Sequence, residues 1–116
     1  MKRKILIIED QREIALVLQE YLEDEGLAAA VALNGREAID KCRSEPFDLL
    51  VTDLKLPDID GRAVVETCRH WLPNLKVLFV TGYVSDLNVK TGSNCQVLKK
   101  PCKPAKILEA IKNMLK

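Results

Sequence analysis

The sequence predicts an α/β fold: one doubly wound domain, residues 1–116, with a five-stranded parallel sheet between helices. Three observations carry this. Short runs such as Ile5–Ile8, Phe47–Thr52 and Lys76–Val80 are almost wholly apolar, as strands buried on both faces are. Between them, apolar residues recur at helical spacing. The two patterns alternate along 116 residues with no repeat and no linker, which points to parallel strands joined by helices around one core.

Each element follows from its residues. Ile5–Ile8 is a strand that stops at Glu9-Asp10. Ile14, Val17, Leu18, Tyr21 and Leu22 then recur at helical spacing and are expected to face inward, with Gly26 ending the helix. Leu27–Leu33 is a weaker strand because of its alanines. Asn34-Gly35 makes a turn, and Arg36–Arg43 a short helix with Ala38, Ile39 and Cys42 inward. Phe47–Thr52 is the third strand and ends in Asp53. Gly61 precedes a helix near Arg62–Trp71 with Val64, Val65 and Cys68 as its core face, and Pro73-Asn74 breaks it. Lys76–Val80 is the fourth strand and runs into Thr81-Gly82. Ser85 with Asp86, Leu87 and Val89 could start a short helix, and Thr91-Gly92-Ser93-Asn94 is loop chemistry. Gln96–Lys99 is the fifth strand. Lys100-Pro101 follows, and Pro104 opens a last helix with Ile107, Leu108, Ile111, Met114 and Leu115 inward.

Bulk properties exclude several function classes. Apolar residues make up 47% and charged ones 30% of the chain, and 18 basic against 17 acidic residues leave a net charge of +1. That balance gives no electrostatic case for direct binding of nucleic acid or membrane. No apolar run is long enough to span a bilayer. The start, Met1-Lys2-Arg3-Lys4 before Ile5–Ile8, mimics a signal peptide, but the apolar part is too short and meets Glu9-Asp10. A cytoplasmic location is expected. Cys42, Cys68, Cys95 and Cys102 have no zinc spacing and read as small hydrophobes. His70, the sole histidine, lacks the partners of a triad or a metal cluster.

The candidate site lies at the carboxyl ends of the strands, where open parallel sheets bind ligands. Glu9, Asp10 and Asp53 end the first and third strands. If those strands are neighbours, three carboxylates converge, and either a proton or a cation must offset their repulsion. An all-oxygen set suits Mg²⁺. Thr81 adds a hydroxyl and Lys100 an ammonium, so the rim could hold a phosphoryl group on a carboxylate. Aspartate is a competent nucleophile for such a transfer.

Glu9-Asp10, Asp53 with Pro57 and Gly61, Thr81-Gly82 and Lys100-Pro101, in that order, resemble the response-regulator receiver domain of two-component signalling systems, over essentially the whole chain. The resemblance implies a flavodoxin-like sheet of strand order 2-1-3-4-5 and a cis bond between Lys100 and Pro101. It implies that Asp53 takes a phosphoryl group from a partner kinase's phosphohistidine. Asp10 would ligate Mg²⁺ directly and Glu9 mainly through water, with Asp53 and the Lys55 backbone carbonyl completing the protein ligands. Thr81 would move to hydrogen-bond the phosphoryl group, Gly82 would leave room for the donor, and Lys100 would pair with a phosphoryl oxygen. The implied protein is a regulatory domain, not an enzyme on a separate substrate, although it promotes its own phosphorylation and dephosphorylation. The implied partner is a histidine kinase or phosphotransfer protein. A homodimer, or an output domain fused beyond Lys116, stays open.

Two departures from the family pattern stand out. Val97 occupies the position where the family usually has Tyr or Phe, so the usual aromatic half of the switch is missing. The stretch from Thr81 to Lys100 is short by about one helical turn, and its composition makes the helix between the fourth and fifth strands short or irregular. Lys55 and Tyr83, two residues after Asp53 and Thr81, are placed to cover the site and restrict the attacking water. Rival readings weigh less. A flavin carrier would want a Gly/Ser/Thr-rich loop where this chain has Glu9-Asp10-Gln11-Arg12-Glu13. An aspartyl phosphatase would typically want a second Asp where Lys55 stands. The remaining alternative is a non-phosphorylated receiver-like interaction module.

Overall fold

The strands are the apolar runs, and they join one parallel sheet. The structure is a computed structural model and describes residues 2–82 and 91–116. In chain order the described elements are β1 (Lys4–Ile8), α1 (Arg12–Asp24), β2 (Ala28–Ala32), α2 (Gly35–Ser44), β3 (Leu49–Thr52), α3 (Gly61–Cys68), β4 (Lys76–Thr81), β5 (Cys95–Lys99) and α4 (Pro104–Met114). The strand order is β2-β1-β3-β4-β5, all pairs parallel, as the family resemblance implied. The helix expected around Asp86–Val89, and Tyr83 with its expected role, lie outside the described residues.

Side chains that alternate along each central strand divide the core in two. Leu6, Ile8, Leu50, Val77 and Phe79 point to one face and pack with Ala38 and Cys42 of α2 and Val64, Val65 and Cys68 of α3. Ile5, Ile7, Leu49, Val51, Leu78 and Val80 point to the other, against Leu18 and Leu22 of α1 and Ile107, Leu108, Ile111 and Met114 of α4. A strand sandwiched this way has no polar face, which is why all four residues of β3 are buried. Burying each large aliphatic contributes about 1.5–3 kcal/mol, so the sheet is a stiff base for the loops at its edge.

The helices begin and end for local reasons. The Asn34 side chain caps α2 by accepting from the Glu37 N–H at 2.8 Å, and Asp60 caps α3 by accepting from the Arg62 N–H at 2.8 Å. Gly26 follows α1 at φ +90°, where a residue with a Cβ is disfavoured. α3 stops at Cys68, so the predicted extension to Trp71 is a turn instead.

The inward face of α1 differs from the sequence expectation. Ala15, Leu18 and Leu22 are buried, while Ile14 and Val17 are 51% and 60% exposed. The segment is rich in apolar residues on more than one side, so periodicity alone leaves the phase open. Packing selects the side on which the small Ala15 lets the helix approach the sheet; Ala15 is fully buried. Cys42 and Cys68 are buried free thiols and Cys95 and Cys102 are partly buried ones. Among the described residues no helix is long and apolar enough to cross a membrane.

Candidate functional site

Parallel register brings the predicted site residues to one edge of the sheet. Ile8 pairs with Thr52, so Glu9 and Asp53 leave neighbouring strands at the same level. Thr81 pairs with Lys99 at the ends of β4 and β5. The Lys100 N–H donates to the Thr81 carbonyl at 2.9 Å, which carries the pairing one residue further.

Asp53 is the best-held of these groups. Its Oδ2 lies 3.0 Å from Lys100 Nζ, and its Oδ1 accepts from the Lys55 N–H at 3.2 Å. The Asp53 side chain is 19% exposed and that of Lys100 is 42% exposed, so the pair is open to a reactant yet partly shielded from water. A charge-assisted contact of this kind outweighs a neutral one. The backbone under the carboxylate is fixed as well. Thr52 Oγ1 donates to the Asp53 carbonyl at 3.0 Å, and the Thr52 side chain is buried.

The loop after Asp53 folds back on itself. Lys55 and Asp60 form an antiparallel bridge, and the Gly61 N–H donates to the Leu54 carbonyl at 2.6 Å. A Cβ on Gly61 would run into the Asp53 carbonyl oxygen and crowd the Leu54 backbone. Glycine is needed here because the helix start lies directly on the acceptor strand's end. At the tip, Asp58 reaches α2: its Oδ1 accepts from the Gly35 N–H at 2.8 Å and its Oδ2 from the Arg36 N–H at 3.0 Å. Asp58 is exposed, and the loss of water where it meets α2 works to raise its carboxyl, but the N–H donors of Gly35, Arg36 and its own loop outweigh that and hold the carboxyl below its usual range. Asp60 is likewise held low: Arg62, through side chain and backbone, overrides the effect of burial.

The acids after β1 are held differently. Glu9 is half-buried and Asp10 exposed. Glu9 Oε2 accepts from the Gln11 N–H at 3.0 Å. Burial pushes the Glu9 carboxyl up. The Gln11 N–H opposes that, the Asp10 side chain adds to it through a hydrogen bond, and Lys100 draws it back by charge. Two adjacent acids offer the donor chemistry a divalent cation would neutralise. With Asp53 and the Lys55 carbonyl the set is all oxygen, which fits Mg²⁺. Among the described residues no group of three or more His, Cys, Asp or Glu side chains is gathered as a ready metal site; Asp53 leans toward Lys100 instead.

The other predicted residues sit around this centre. The Thr81 side chain is fully buried at the end of β4. Gly82 is exposed, and a Cβ there would meet nothing within 4 Å among the described residues. The Lys100–Pro101 bond is cis. Val97 is partly buried and packs on the α2/α3 side of the core. A crevice of ≈ 490 Å³ runs from Glu9, Asp53 and Lys100 inward between Ile14 of α1 and Ile107 of α4. Sequence reasoning missed Thr52 and the tie from Asp58 to α2. A Thr just before a strand-end acid was a weak signal for the first, and nothing local signalled the second.

The family model described as "Response regulator receiver domain" matches residues 5–112. The regulatory protein VanRc of Enterococcus gallinarum is 32% identical over 121 residues, covering 100% of this chain but 51% of the relative. The response regulator receiver protein CpdR of Brucella abortus is 31% identical over 116 residues, covering 97% of each. The chain thus spans about half the length of the first relative and nearly all of the second. Among solved structures, a CheY-like response regulator receiver domain protein of Methanospirillum hungatei superposes with a TM-score of 0.87 at 32% identity, covering 99% of this chain and 94% of that one. The response regulator protein TrrA of Thermotoga maritima, in complex with Mg(2+)-BeF, gives a TM-score of 0.80 at 28% identity, covering 97% and 98%.

Proposed function

This chain belongs to the response regulator receiver domain family of two-component systems, and on that ground we propose that Asp53 is its phosphoacceptor. In this reading an Asp53 carboxylate oxygen attacks the phosphorus of a partner's phosphohistidine. The new O–P bond forms as the P–N bond breaks, and the leaving imidazole nitrogen keeps the electron pair and takes a proton. Lys100 follows the charge, moving from Asp53 Oδ2 to an oxygen of the bound phosphoryl group. The Lys55 N–H keeps the carboxylate oriented, and Thr81 turns its hydroxyl toward the phosphoryl group. Glu9, Asp10, Asp53 and the Lys55 carbonyl would hold Mg²⁺, which supplies charge neutralisation when bound.

The observation that carries this reading is the 3.0 Å contact between Asp53 and Lys100. It joins two residues far apart in sequence at the edge where Glu9 and Thr81 also end their strands. The whole chain, 1–116, acts as the receiver, a regulatory domain whose phosphorylation state alters partner binding. Its phosphoryl source is a histidine kinase or phosphotransfer protein, in the cytoplasm. The test is intact-mass measurement after incubation with Mg²⁺ and acetyl phosphate. A phosphoryl adduct that is absent in Asp53→Asn is expected. No adduct from acetyl phosphate or from a phosphohistidine donor would overturn the reading and leave an interaction module.

A further inference from the structure

We propose that Asp58 is a positioning residue for the phosphoacceptor loop: it fixes the loop's tip on the N-terminus of α2, so that Lys55 keeps its N–H on Asp53 and its carbonyl in place as the proposed metal ligand. The inference rests on Asp53 being the phosphoacceptor, and it adds a residue outside the acids, hydroxyl and lysine of the site.

The first four N–H groups of a helix lack partners within it. In α2 three of them are taken by side chains. Asn34, from the same turn, takes Glu37. Asp58, from the loop after β3, takes Gly35 and Arg36 with one oxygen each. The two bonds span 23 and 22 residues of sequence, so they join separate elements and are more than a local cap. A carboxylate at a helix N-terminus is also favoured by the helix dipole. The fit is close: a Cβ on Gly35 would lie 3.2 Å from Asp58 Oδ1 and 2.8 Å from Val64 Cγ2.

The loop transmits this anchoring to the reacting carboxylate. Asp58 sits at the tip of the turn closed by the Lys55–Asp60 bridge. The N–H of Lys55 is the donor on Asp53 Oδ1, and its carbonyl is the proposed metal ligand. A free tip lets the two peptide planes that meet at the Lys55 Cα shift together, the one carrying its N–H and the one carrying its carbonyl. One motion then loosens both the carboxylate's orientation and the backbone ligand. Supports of this kind around a metal or reacting group typically change affinity or rate when removed.

The test compares two variants that weaken the same helix end. Asp58→Ala removes the tie between loop and helix, and Asn34→Ala removes a cap bond that does not touch the loop. Phosphorylation by acetyl phosphate is followed by intact mass at a series of Mg²⁺ concentrations, and thermal stability is measured on the same samples. Asp58→Ala is expected to raise the half-saturating Mg²⁺ concentration and slow adduct formation by roughly 10-fold, while Asn34→Ala lowers stability with its rate unchanged. Asp58→Asn, which keeps one acceptor oxygen, is expected to fall between Asp58→Ala and the unmodified chain. Equal slowing in Asp58→Ala and Asn34→Ala overturns the proposal, because slowing would then follow stability. A normal rate and Mg²⁺ dependence in folded Asp58→Ala also overturns it. Failure of the unmodified chain to take phosphate strikes instead at the phosphoacceptor reading, so the two failures are distinct.

Discussion

The two acid-bearing strand ends are built to opposite plans. At the end of β3, Asp53 has a cation on one oxygen and an N–H on the other. Its backbone is gripped by Thr52 and roofed by Gly61. At the end of β1, Glu9 has one N–H from its own loop and an acid as its neighbour, and its carboxyl is pushed up by burial and by that neighbour. One end is a carboxylate paired and aimed, as a nucleophile requires. The other is a pair of adjacent acids that crowd one another, as a cation site does. Fixed orientation and crowded negative charge are separate requirements, and adjacent strands divide them.

Three substitutions break or sharpen that contrast. Lys100→Ala removes the cation from the β3 end. It is expected to slow adduct formation from acetyl phosphate roughly 100-fold, the usual loss when one preorganised charge partner is removed. An unchanged initial rate would place the charge compensation elsewhere. Gly61→Ala attacks the geometry of the same end. Backbone crowding at Asp53 and Leu54 is expected to cost about 1–3 kcal/mol of stability, read from urea unfolding, and to slow phosphorylation as well. Full stability would mean the loop has slack that the contrast denies it.

The third and smallest effect concerns the β1 end and is a pH dependence. Glu9 is raised above its ordinary value of 4.5 in the folded chain. Its contribution to stability is therefore fully present below pH 4.5 and lost as pH rises through the raised value, where the native acid must ionise in a less favourable setting. Without divalent cations, stability should fall in that window more steeply for the unmodified chain than for Glu9→Gln, and Mg²⁺ should flatten the difference. Identical urea midpoints for the two proteins across that window would remove the distinction between the strand ends.

Much of this was legible in the sequence because strand ends are legible. A buried parallel strand is a run of apolar residues, and its last residue is marked by the first acid, hydroxyl or cation after it. Asp53, Glu9-Asp10, Thr81 and Lys100 were found that way. Strand neighbours are not encoded in periodicity, so the order of the sheet came from resemblance to the receiver family and is what the structure has. The face of α1 differs from the expectation because Ile14 and Val17 are apolar yet exposed, while Ala15, a weak hydrophobic signal, is fully buried. Asp58 carries no signal in the local sequence because its partners, Gly35 and Arg36, lie more than twenty residues upstream.

The most direct measurement is where the phosphoryl group resides. The chain is incubated with Mg²⁺ and acetyl phosphate, reduced with borohydride, and sequenced by tandem mass spectrometry. Reduction converts an aspartyl phosphate to homoserine and leaves free carboxylates intact. The account predicts homoserine at position 53 alone. Homoserine at Asp10 or Asp58, or a phosphoryl group on a side chain other than Asp53, would contradict it.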